Sequence, residues 1–104
     1  MFVVVRCASP ADVTLEDAGN LRELYVAAGG CPDAAAVGRT LDQTGAGSLA
    51  EDGAHAWLSV DWLRARGAAG QGPSWSEGFE GMLAYAAGQG WLGPAGTSVR
   101  AHLR

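Results

Sequence analysis

The chain has 104 residues, a formal net charge of −4 and a pI near 4.9, so it makes one domain, 1–104, around a single core. All 7 basic residues are arginine, which excludes a lysine Schiff base and a phosphate-loop lysine, and the acidic balance argues against nucleic acid as a partner. Apolar residues make up 48%, but alanine dominates that share, isoleucine is absent and there are 16 glycines; the expected core is thin, and a second subunit would add burial.

Phe2-Val3-Val4-Val5-Arg6-Cys7 is apolar and β-branched without alternation, the pattern of a strand buried on both faces. Ser9-Pro10-Ala11-Asp12 breaks it. Thr14 stands three residues before Asp17, close to a capping box, and Leu21, Leu24, Tyr25 and Ala28 follow at helical spacing before Gly29-Gly30. A first helix is expected there. Pro32 opens a second, weaker helix with Val37 and Leu41 one turn apart and Gly45 as its stop, and the stretch to Gly53 reads as loop.

Ala54 to Val60 alternates as a second strand, after which Asp61 is placed to cap a short helical turn through Trp62, Leu63 and Arg64 that ends at Gly67. Ser74-Trp75-Ser76-Glu77 reads as a capping box for a helix whose stripe is Trp75, Phe79, Met82, Leu83 and Ala86, with Gly78 and Gly81 permitting close packing and Gly90 closing it. Trp91 is placed to staple that helix end to the sheet. Gly93-Pro94-Ala95-Gly96 then turns the chain into a last strand, Ser98 to Arg104. The order β-α-α-β-α-β predicts an α+β fold with a small three-stranded sheet and helices on at least one face.

Cys7 and Cys31 form no metal or redox motif, and a single possible pairing is no disulfide framework, so reduced thiols are expected. The apolar run at the start lacks a basic flank and is too short for a signal peptide or a membrane span. Those readings place the protein in the cytoplasm, without a membrane partner.

The second and third predicted strands carry opposite content on their two sides. Ala56, Leu58, Val60, Val99, Ala101 and Leu103 fall on one face; His55, Trp57, Ser59, Ser98, Arg100, His102 and Arg104 fall on the other. The second face holds both histidines, two arginines and a tryptophan, more than a solvated surface needs.

No carboxylate or thiol has metal-ligand spacing to either histidine, so neither a metal nor a cofactor is expected. His55 and His102, with Asp61 and Arg100, are the set available for acid–base chemistry, although capping also explains Asp61. Trp57, Ser59 and Arg100 are the expected ligand- or partner-binding residues, since tryptophan and arginine concentrate at interface anchors.

Two functions follow. In the first, the chain is an interaction module that forms a homodimer, or binds a partner protein, through the Trp57 and Arg100 face. In the second, it is a small cofactor-free enzyme or ligand-binding protein of isomerase, cyclase or lyase type, with a histidine acid/base and Arg100 holding an anionic small molecule.

Overall fold

In the computed structural model, which describes residues 1–104, Val3 and Val5 are fully buried while Phe2 and Val4 are half-buried. The first strand, β1 (Phe2–Arg6), therefore has one core face and one open face, not two buried ones. Its neighbours are β2 (Asp12–Glu16), antiparallel, and β3 (Tyr25–Gly29), parallel.

This overturns the first predicted helix. Val13 and Leu15 face the core while Thr14 alternates with them, and Asp17, with φ 52°, begins a turn closed by the Asn20 N–H donating to the Asp17 carbonyl at 3.0 Å. The i, i+3 spacing of Leu21 and Leu24 belongs to the connection into β3, not to a helix.

The predicted second helix forms as α1 (Ala34–Thr44), capped by Asp33, which accepts from the Ala36 N–H at 2.9 Å, and stopped by Gly45 at φ 76°. Beyond it the expected loop contains β4 (Gly47–Leu49), which pairs antiparallel with β5 (His55–Ser59). Only glycine suits position 47, because a Cβ there would lie 2.1 Å from the Trp57 carbonyl oxygen. Helix α2 (Val60–Gly67) follows β5 directly, and α3 (Ser74–Gly88) buries Trp75, Phe79, Leu83 and Ala86 from the predicted stripe. The predicted capping box does not form, as Ser74 is already helical and Pro73, ahead of it, offers no side-chain cap. A turn at Pro94–Gly96 leads into β6 (Ser98–Leu103).

The sheet is thus six-stranded, mixed and curled, in the order β2-β1-β3-β6-β5-β4, and the three-stranded expectation is wrong although α+β holds. Val3, Val5, Val13, Val26, Ala56, Leu58, Val99 and Ala101 form one continuous apolar face. Val37 and Leu41 of α1, Leu63 of α2 and Phe79 and Leu83 of α3 join the same core. All three helices therefore cover one face. No residue of the other face is fully buried. None of the helices is long and apolar enough to cross a membrane.

Cys7 and Cys31, each just beyond the end of its strand, are joined in a disulfide with Cα atoms 5.0 Å apart. Reduced thiols were the wrong expectation, because parallel pairing of Arg6 with Gly29 brings together two residues that their spacing leaves unrelated. With the sulfurs bonded, the cysteines no longer argue for a reducing compartment.

The β3–β6 joint is short. Only Tyr25 pairs with His102 and Val26 with Leu103; the chain before β3 then diverges from β6. The exposed edge of β6 is taken by the segment after α3, through Gly93 N–H to Ser98 carbonyl at 2.9 Å, Arg100 N–H to Trp91 carbonyl at 2.8 Å and a Leu92–Val99 bridge. Trp91 thus staples the end of α3 to the sheet, its own N–H donating to the Ala86 carbonyl at 2.9 Å.

Candidate functional site

Antiparallel register between β5 and β6 sets His55 opposite His102, Trp57 opposite Arg100 and Ser59 opposite Ser98, all on the face that no helix covers. The histidine rings meet edge to face with centroids 5.1 Å apart. The same rung continues through Tyr25, which stacks on Phe2 at 5.0 Å and lies beneath the Arg104 guanidinium at 3.8 Å. The uncovered face therefore carries an aromatic and imidazole row that crosses four strands.

Asp61 does not join it. Ser59 caps α2, its Oγ accepting the Trp62 N–H at 3.1 Å, which leaves Asp61 exposed in the first turn with no hydrogen bond to either histidine. The carboxylate that serves His55 is Asp52, three residues upstream. Its Oδ1 accepts the N–H groups of Ala54 at 2.9 Å and His55 at 3.1 Å, and its Oδ2 lies 2.7 Å from His55 Nδ1. The Ala54 N–H foremost, and then the His55 side chain, hold the Asp52 carboxyl below the ordinary carboxylate range. With Nδ1 engaged, His55 presents Nε2 as its free atom.

Arg100 and Trp57 open into different recesses. Trp57 lines a shallow, polar hollow with Ser48, Ser59, Thr97 and Ser98. Arg100 instead lines a cleft of about 550 Å³ where β3 and β6 part. The cleft is also lined by Val99 and Trp91, by a wall of Met82, Tyr85 and Ala86 from α3, and by a second wall of Leu21, Arg22, Glu23 and Leu24. The Met1 amine ties down that second wall, donating to the Asn20 carbonyl at 2.5 Å and the Glu23 carbonyl at 3.1 Å, and burial lowers its pKa from the ordinary range. Arg100 is half-buried and its guanidinium has neither a hydrogen bond nor an ion pair, whereas Arg6, Arg64 and Arg104 each face a carboxylate.

The chain matches no family model, no curated protein and no solved structure. The site thus rests on its geometry. Sequence reasoning named Arg100 but did not bring Leu21, Leu24, Met82 and Tyr85 to it as its surroundings. Tyr85 carried a usable signal: it lies off the apolar stripe of α3, is 63% exposed and packs edge to face on Trp91 at 5.9 Å. No cluster of three or more His, Cys, Asp or Glu side chains is placed to hold a metal ion.

Proposed function

We propose that this chain is a binding module for a small amphiphilic anion, with an apolar or aromatic body in the cleft between α3 and the β3–β6 gap and a carboxylate or phosphate on Arg100. The observation that supports it most is that Arg100, a half-buried residue whose guanidinium has no hydrogen bond or ion pair, belongs to the lining of a mainly apolar cleft. An incoming anion would supply the charge-assisted hydrogen bonds that this guanidinium lacks. The volume of about 550 Å³ lies in the ordinary range of ligand pockets.

Anilinonaphthalene sulfonate, an aromatic anion, is a direct probe. It should bind saturably at one site per chain, and Arg100→Ala should weaken it about tenfold, the loss expected for one charge-assisted contact. Gly81 supplies a second test, because a Cβ built there meets nothing within 4 Å and a larger side chain extends into the cleft. Gly81→Leu should block the probe while leaving the far-ultraviolet circular dichroism unchanged. Equal affinity in the parent and both variants would remove the cleft as the site.

A second reading is self-association through the uncovered face, supported by Trp57 and the Phe2–Tyr25 stack standing half-buried where no helix covers them. In that case sedimentation velocity gives a dimer that Trp57→Ala dissociates. A monomer at all concentrations would end this reading without touching the first.

A further inference from the structure

We propose that His55 and His102 form a two-imidazole site for a divalent late transition metal, copper(II) above the others, completed by water. The site is separate from the cleft and does not depend on it.

Three observations support it. First, the two residues are directly paired across β5 and β6 on an open face, so one ion can reach both rings. Second, the spacing suits chelation. With metal–nitrogen bonds of about 2.0–2.1 Å, two imidazoles on one ion place their centroids roughly 4.5–5.3 Å apart for angles between square and tetrahedral. The observed separation is 5.1 Å with the rings edge to face at 78°, so a turn of the His102 ring brings both nitrogens to one ion. Third, Asp52 contacts His55 Nδ1 at 2.7 Å, the carboxylate support that orients a ligating imidazole and leaves Nε2 as its outward atom.

Imidazole nitrogen suits copper, nickel and zinc rather than calcium or magnesium, and among the divalent ions copper binds most strongly to a given nitrogen site. His102 is exposed, so its ring turns onto the ion without moving the backbone. The ion would also clip the open end of the β5–β6 pair, so binding should raise the melting temperature.

The test is isothermal titration of the full chain with copper(II) chloride in a non-coordinating buffer near neutral pH. One equivalent is expected, with an electron paramagnetic resonance spectrum showing two nitrogen ligands. His55→Ala and His102→Ala should each weaken binding at least tenfold, and Asp52→Asn about tenfold at unchanged stoichiometry, the usual effect of losing a carboxylate behind a ligand. Circular dichroism on the same samples reports whether each variant remains folded, and His102→Gln provides a second replacement at the exposed position. Binding that survives both histidine substitutions, or a spectrum with no nitrogen ligand, overturns the proposal.

Discussion

Asp52 gathers two backbone N–H groups and one imidazole on a single carboxylate, and its lowered pKa sets the sign of a pH effect. Because the folded chain favours the ionised form more than the unfolded chain does, the contribution is complete above the ordinary carboxylate range and is lost as pH falls through the lowered folded value. Melting curves of the parent and Asp52→Asn should therefore separate above the ordinary carboxylate range and converge as pH falls below it. Curves that remain parallel over that range would show that the carboxylate contributes nothing. Asp52 itself was not legible in the sequence, where Asp61 looked like the acidic partner. The sequence reading gave the cap to Asp61, whereas the structure gives it to Ser59 two residues earlier, because the capping position depends on where β5 stops. Pairing Ser59 with Ser98 settles that in the fold, not in the local sequence.

At the scale of elements, the two glycines inside α3 have different reasons. A Cβ at Gly78 would come within 2.6 Å of Leu21 Cδ1, so this glycine lets the connection into β3 approach the helix; Gly81 faces open space. Gly81→Ala should accordingly stabilise the protein by roughly 0.5–1 kcal/mol through helix propensity, while Gly78→Ala gains less or loses stability as Leu21 is displaced. Urea midpoints of the two variants check this, and equal gains would mean that Leu21 does not pack as described. The well-read elements were those with a complete local signature: the alternation of β5 and β6, Val37 and Leu41 in α1, and the Trp75–Phe79–Leu83 stripe of α3. Residues 14–28 misled because Leu21, Leu24, Tyr25 and Ala28 imitate a helical period, while the true breaker, Asp17 to Asn20, is a turn. The strand β4 escaped notice because three residues beginning with glycine carry no period at all.

For the whole molecule, the thin core read from composition has specific consequences. Phe79 is fully buried against Trp75, with ring centroids 4.9 Å apart, so Phe79→Ala should cost about 3–5 kcal/mol, a large share of a small domain's stability. The Cys7–Cys31 bond closes a loop of sequence separation 24, and reduction should cost about 3.5 kcal/mol on the chain-entropy account. Urea unfolding with and without a reductant measures that loss; coincident curves would show that the bond constrains nothing the fold needs. The cleft is a whole-molecule feature as well. Its walls come from residues 21–24, 81–86 and 91–100, and no single window of sequence contains it.

The brevity of the β3–β6 joint also bears on how the protein assembles. Strands β1, β2 and β3 occupy the first 29 residues, and β4, β5 and β6 are paired with one another within residues 47–103, so each three-stranded leaf closes over shorter sequence distances than the two pairs that unite them. Bringing Tyr25 to His102 spans most of the chain, and loop closure makes so distant a contact a late event. The seam should then be the last place to knit in folding and the first to loosen in the native state. Amide hydrogen exchange would show it as faster exchange along the joint than in the β1–β2 and β5–β6 ladders on either side.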